Sequence, residues 1–237
     1  MSLPFFYIEQ IDPQSSLITL NEETSKHVVQ VLRMKAGEQL HLTDGKGNLI
    51  LAEINDAHKR NCVVKTKAAS FKPQAAKRVS IAISLVKNAS RFEWFLEKAT
   101  EIGVQEIIPL ICERTERQHF RYDRMKGILV SAMLQSQQTW LPVLHELVKF
   151  EEYIRKTGAK DGAYKFIAHC EEGSKQSIKQ MMEAGASMYT ILIGPEGDFT
   201  STEIQQAIEN NFIPVTLGET RLRTETAGIT AAVLLCI

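Results

Sequence analysis

No apolar run in this chain approaches the roughly 20 residues needed to span a bilayer, so a membrane helix is not expected. The opening residues, Met1-Ser2-Leu3-Pro4-Phe5-Phe6, lack the basic start and long apolar core of a secretory leader, and a cytoplasmic protein is expected. Cysteine is scarce. Cys62, Cys112, Cys170 and Cys236 stand far apart with no CxxC pair, which excludes a zinc ribbon or thioredoxin motif and leaves free thiols. The six histidines show no ligand spacing, so no metal is expected. A P-loop and a GxGxxG turn are both absent, which argues against a Rossmann dinucleotide site and the ordinary glycine-rich methyltransferase loop. No GxSxG elbow is present, so nothing points to a covalent serine nucleophile. Net charge is missing too. The 28 basic and 28 acidic side chains cancel, which argues against a bulk nucleic-acid binder and confines any such role to a local patch.

What remains is ordinary for a soluble globular protein, with 44% hydrophobic and 24% charged residues. A chain of 237 residues is long enough for two small domains. Residues 1–72 read mostly as short strands, at 17–20, 39–42, 49–54 and 62–66. Asp44-Gly45-Lys46-Gly47-Asn48 supplies the Asp-Gly turn of a tight hairpin. One helix, from about Glu22 to Met34, interrupts them with Val28, Val29, Val31 and Leu32 on one face. The stretch 71–77 reads as a linker.

From residue 75 to 237 strand and helix alternate, the pattern of an α/β domain with a mainly parallel sheet. Residues 79–86 form a near-continuous apolar run, as expected of a strand buried on both faces. Ser90 to Ile102 reads as a helix, with Ser90 as cap, Glu93 closing a capping box and Gly103 ending it. A strand at 104–111 and a helix at about 122–138 follow. Strands are then expected at 165–169 and 189–193, a helix at 200–210 with a Thr200/Glu203 capping box, a strand at 213–217 and a helix at 224–237.

Two segments carry the densest chemistry. Leu192-Ile193-Gly194-Pro195-Glu196-Gly197-Asp198-Phe199 and Leu217-Gly218-Glu219-Thr220-Arg221-Leu222-Arg223-Thr224-Glu225-Thr226-Ala227 each leave an apolar strand at a glycine and enter a helix. Ligands of parallel sheets sit outside the carboxyl ends of the strands, so both loops would reach one pocket. Gly194 and Gly197 let backbone approach a ligand, and Pro195 stiffens the turn. A tight strand-to-helix turn is the plain alternative, and spacing alone leaves both readings open. In the second loop a structural ion pair between Arg223 and Glu225 is the plain alternative to a charged site. His169 ends a strand and could face the pocket, although a satisfied strand-end histidine is the plainer reading. Basic residues gather at Arg114, Arg117, Arg121, Arg124 and Lys126, either a solvated helix face or a phosphate-contacting patch.

"IGPEGDFTSTE", then "LGETRLRTETA", with "RFEWFLEKATEIGVQEIIPL" and the N-terminal "HVVQVLRMKAGEQLHLTDGKGN", resemble the RsmE family, 16S ribosomal RNA (uridine-N3) methyltransferases of the SPOUT superfamily. The resemblance covers nearly the whole chain. It implies a PUA-like β-barrel RNA-binding domain over 1–72 and an α/β SPOUT methyltransferase domain over 75–237, threaded into a deep trefoil knot. It also implies S-adenosylmethionine as cofactor, a homodimer, and ribosomal RNA or the small ribosomal subunit as partner. By matching position, Leu192, Ile193, Gly194, Glu196, Gly197, Leu217, Gly218, Leu222 and Thr226 should line the cofactor site. Arg223 and Glu225 are the expected catalytic residues. Arg33, Lys87, Arg91, Arg114 and Arg117 should face RNA. Two departures stand out. Asp198 occupies a position where many members carry a second glycine, and Ser131–Gln138 lacks that stretch's acidic and glycine residues.

Uridine N3 methylation needs a ring proton removed and the nitrogen presented in line to a sulfonium methyl. Arg223 would stabilise the uridinate oxygens or orient the base. Glu225 or Glu196 could accept the proton or fix an arginine, and water could serve instead. N3 lies on the pairing edge, so the target must be unpaired. A SPOUT enzyme acting on another RNA or base, or a non-catalytic RNA-binding module, are the alternative readings.

Overall fold

A computed structural model describes residues 3–116, 118–158, 162–182 and 186–237. The chain forms two compact units, Met1–Gln74 with Met133–Leu141, and Ala75–Ala132 with Pro142–Ile237.

The first unit holds β1 (Phe5–Tyr7), β2 (Leu17–Thr19), α1 (Glu22–Lys26), β3 (Gln39–Thr43), β4 (Asn48–Asp56) and β5 (Val63–Phe71). The strands run in the order β1-β3-β4-β5-β2, antiparallel except for β1 beside β3. Their inward residues, with Val28, make one apolar core in which Leu40, Leu42, Ile50, Ala52 and Val64 are fully buried. Each such Leu or Ile contributes roughly 1.5–3 kcal/mol relative to exposure. The expected hairpin is present. Asp44 closes its turn by accepting the Lys46 N–H at 2.8 Å and the Asn48 side-chain amide at 2.6 Å.

The helix expected from Glu22 to Met34 stops being regular sooner. Asn21 caps it, accepting the Thr24 N–H at 2.8 Å, and residues 27–31 widen into a π-turn with Leu32 N–H bonded to His27 O at 2.9 Å. Arg33 then takes left-handed backbone, φ 55°, so that Met34 can turn into the core.

Residues 133–141, which the sequence division leaves in the second domain, belong to the first unit for a local reason. Gly47 N–H bonds Thr139 O and Leu141 N–H bonds Gly45 O, both at 2.9 Å, while Trp140 Nε1 donates to Lys72 O at 2.8 Å. Trp140 also meets Phe71 edge-on, and a Cβ at Gly47 would lie 2.7 Å from the Trp140 ring.

The second unit continues with β6 (Arg78–Ser84), α2 (Ala89–Ile102), β7 (Glu106–Ile111), α3 (Tyr122–Gln135), β8 (Val143–Leu144), β9 (Val148–Lys149) and α4 (Phe150–Gly158). After these come β10 (Tyr164–Ala168), β11 (Gln176–Ser177), α5 (Ile178–Met182), β12 (Met188–Ile193), α6 (Ser201–Glu209), β13 (Ile213–Thr216) and α7 (Thr224–Cys236). All its ladders are parallel, in the order β11-β13-β10-β12-β6-β7-β8, with β9 also on β7. The α/β class and parallel sheet expected from the alternation are therefore present.

One face of the sheet, including Ala82, Ile108, Ile167 and Leu192, packs on Phe150 and Ile154 of α4 and Ile204 and Ala207 of α6. α7 packs against β6, β12 and α2. Gly228 is there because a Cβ would stand 2.6 Å from the Phe95 ring and 2.9 Å from Ile83. The Thr200/Glu203 capping box forms as expected. The cap of α2 does not. The helix starts earlier, at Ala89, so Asn88 takes the cap, accepting the Ser90 N–H at 3.0 Å, and Glu93 is held instead by Arg124 at 2.7 and 3.0 Å.

Candidate functional site

Three neighbouring strands deliver three segments to one end of the parallel sheet. β10 lies between β12 and β13, so the residues after Ala168 are flanked by the loop after Ile193 and the loop after Thr216. Together they line a cavity of about 640 Å³. The two glycine loops do converge, but β10 separates their strands and adds His169, Cys170 and Lys175 to the walls.

The β12 loop is fixed from every side. Gly194 admits the Phe199 ring, which would stand 3.1 Å from a Cβ. Asp198 N–H closes a turn on Pro195 O at 3.0 Å. Asp198 itself has φ 65°, the left-handed backbone that favours glycine and that Asp tolerates better than most residues. Its carboxylate staples the loop to the β10 segment, accepting Cys170 N–H at 2.7 Å and Phe199 N–H at 2.8 Å. Arg114 Nη1 donates to Gly197 O at 2.8 Å, and Glu196 accepts the Lys87 backbone N–H at 2.9 Å.

The β13 loop has little of this. Thr216 Oγ1 donates to Gly218 O at 2.8 Å and accepts the Gly218 N–H at 3.3 Å. Gly218 has φ 149°, a backbone that favours glycine, and a Cβ there would meet nothing within 4 Å. Residues 218–221 are exposed. Arg223 stands at the cap position of α7, exposed, and no ion pair to it forms among the described residues. The expected Arg223–Glu225 pair is replaced by another. Glu225 Oε1 faces Arg91 Nε at 3.6 Å, while its Oε2 is buried without a hydrogen-bond partner among the described residues.

At the end of β10, both ring nitrogens of His169 are buried and have no hydrogen-bond partner among the described residues. Burial pushes its pKa below the ordinary histidine value. The Lys175 charge adds to this, and Asp198 and Glu171 oppose it. Lys175 Nζ donates to His169 O at 2.9 Å. Cys170 beside it is held protonated at neutral pH, its pKa raised first by burial and then by Asp198.

Of the residues expected at the cofactor site, Ile193, Gly194, Glu196, Leu217, Gly218 and Leu222 line the cavity, as does Arg223. Leu192, Gly197, Thr226 and Glu225 are not among its walls. Leu192 alternates to the other face and packs with Phe199 and Ile204. Gly197 lies against the Arg114 stem, whose Cδ would be 3.3 Å from a Cβ. Thr226 is exposed on α7, and Glu225 is buried beside Arg91. Sequence reasoning passed over Cys170, Lys175 and Asp198 as wall residues and ranked His169 low. The order of strands in the sheet, which would have placed them, is not written in local spacing.

The residues expected to face RNA are scattered in role. Arg33 is exposed and carries no ion pair among the described residues. Lys87 pairs with Glu116 at 2.9 Å, Arg91 faces Glu225, and Arg114 grips the β12 loop. Arg117 lies outside the described residues. Among the described residues no group of His, Cys, Asp and Glu could hold a metal ion, and no helix is long and apolar enough to cross a membrane.

A parallel α/β domain with a strand-end cavity, joined to a small β-rich unit, defines a class that the family models name. A model described as an RNA methyltransferase domain matches residues 73–236, and one described as an RNA methyltransferase PUA domain matches residues 20–67. Ribosomal RNA small subunit methyltransferase E of Rickettsia conorii is 30% identical over 95% of this chain and 91% of its own length. Two solved structures superpose along their length. A probable rRNA-methyltransferase from Porphyromonas gingivalis is 35% identical, with TM-score 0.84, covering 97% of this chain and 95% of that one. Ribosomal RNA small subunit methyltransferase E from Neisseria gonorrhoeae, bound to S-adenosyl methionine, is 27% identical, with TM-score 0.87, covering 98% and 95%. The chain belongs to the ribosomal RNA small subunit methyltransferase E family of RNA methyltransferases.

Proposed function

We propose that the chain binds S-adenosylmethionine in the β10–β12–β13 cavity and methylates N3 of a uridine in 16S ribosomal RNA. The observation that carries this reading is the cavity itself, lined by Gly194 and Gly218 at the carboxyl ends of parallel strands. Its residues fit the cofactor. His169 presents orphaned nitrogens, Gly218 leaves open space at its α-carbon, and Ile193, Leu217 and Leu222 supply apolar wall.

When bound, the cofactor supplies an electrophilic methyl on a sulfonium sulfur. The chain's part is positioning and charge. Arg223, free of any carboxylate among the described residues, stabilises the negative charge that N3 deprotonation spreads onto the uridine oxygens. Glu225 stands outside the walls, so it anchors Arg91 and the start of α7, where a carboxylate is favoured by the helix dipole. Glu196 is held by Lys87 N–H and orders the loop, and the proton leaves to water.

In this reading Leu192, Gly197 and Thr226 support the walls rather than forming them, the chain through these loops is knotted, and the enzyme is a cytoplasmic homodimer. Support for the dimer comes from α7 and α2, where Val233 (41% exposed) and Trp94 (44%) leave apolar surface uncovered. Incubation with the cofactor and unmethylated 16S RNA or small subunits, followed by nucleoside mass spectrometry, should yield 3-methyluridine. Cofactor binding without any methyluridine would overturn the assignment.

A further inference from the structure

Resting on the cofactor assignment above, the geometry points to His169 as a cofactor-binding residue whose neutral imidazole hydrogen-bonds the adenosyl portion of S-adenosylmethionine. Buried polar atoms are nearly always paired, and leaving one unpaired is costly. Both His169 ring nitrogens break that rule, at the end of the strand that the two glycine loops flank. No protein group among the described residues satisfies them, and the ring's own residue lines the cavity. A ligand group in the cavity would supply the missing partner.

The chemistry of the walls assigns which end of the ligand it meets. Lys175 and Arg221 are donors only and suit the amino-acid carboxylate. A neutral imidazole offers one donor and one acceptor, which matches the hydroxyls of a ribose or the donor–acceptor edge of an adenine. Protonation would convert the acceptor into a second donor and place a cation in the same cavity as the sulfonium. Binding by this residue is therefore a property of the neutral ring, and its depressed pKa keeps it neutral at pH 7.

Other charges face the same space. Glu171 and Lys175 lie on the histidine's own segment, and Glu196 and Asp198 on the β12 loop. Glu219, with Arg221 and Arg223, belongs to the β13 loop. The test must separate His169 from all of them.

Calorimetric titration of the full chain with S-adenosylmethionine and with 5′-methylthioadenosine, which lacks the amino-acid end, does so between pH 5 and 8. His169→Ala should weaken both ligands about five- to tenfold at pH 8. Wild-type affinity should fall on acidification. His169→Gln, which keeps a donor and an acceptor without titrating, should hold most of the affinity and lose the pH dependence. Circular dichroism melting identifies a variant that fails to fold, and the Gln variant then carries the test. Unchanged affinity in the Ala variant at pH 8, a pH profile that survives in the Gln variant, or a loss confined to S-adenosylmethionine would each overturn the inference. Wild-type protein that binds neither ligand overturns the cofactor assignment itself.

Discussion

The loop after β12 and the loop after β13 face one cavity, yet they are held in opposite ways. The first is wedged by the Phe199 ring, stapled to Cys170 by Asp198 and gripped by Arg114 and Lys87 N–H. The second is exposed over residues 218–221 and, among the described residues, tied only to its own Thr216. A braced wall keeps its shape without ligand, so ordering costs nothing further when a ligand arrives. An unbraced wall must be ordered by the ligand, and its side chains are free to answer to substrate. The difference assigns shape to the β12 loop and charge chemistry to the β13 loop.

The strongest way to break that assignment is Arg223→Ala. Loss of a transition-state contact should lower single-turnover methylation about 10²–10³-fold while cofactor affinity moves far less. A near wild-type rate would remove chemistry from the β13 loop.

A matched pair of glycine substitutions sharpens the contrast. Gly194→Ala forces a Cβ against the Phe199 ring and should cost about 1–3 kcal/mol of folding stability in denaturant melts. Gly218→Ala meets no protein atom, so its stability loss is the backbone strain alone, about 1 kcal/mol. Its larger effect should be on calorimetric affinity for S-adenosylmethionine, lowered about tenfold. Equal effects on stability and binding at the two sites would erase the distinction.

Arg114→Ala tests bracing directly. The sequence expectation gave Arg114 to RNA, and in the structure its Nη1 donates to Gly197 O and Phe199 O. The variant should weaken cofactor binding about three- to tenfold by loosening the preformed wall. The smallest effect belongs to Arg33→Ala. It should leave cofactor affinity unchanged and reduce the salt-dependence slope of RNA binding by roughly 0.7–0.9, one phosphate contact.

Much of this was readable from residue order. The Thr200/Glu203 box, the Asp44-Gly45 turn and the Gly103 helix end are local devices, and local chemistry fixes them. The two glycine loops were legible because each follows an apolar strand. What stayed hidden depends on neighbours distant in sequence. Helix α2 starts one residue before Ser90, so Asn88 takes the cap and Glu93 pairs with Arg124 on a distant helix. Leu192 sits inside a cofactor motif, but strand alternation turns it to the α6 face. His169 could not be ranked without knowing that β10 runs between β12 and β13.

The strap at 133–141 bears on how this protein can be inherited or rebuilt. The hairpin end at Gly45 and Gly47 and the carbonyl of Lys72 take their partners from Thr139, Trp140 and Leu141. A fragment cut at residue 74 would strip those partners away and leave Phe71 without the Trp140 ring. The N-terminal unit is thus no detachable cassette. A recombinant that swaps it must carry a matching 133–141 segment, and the two stretches are expected to change together over evolutionary time.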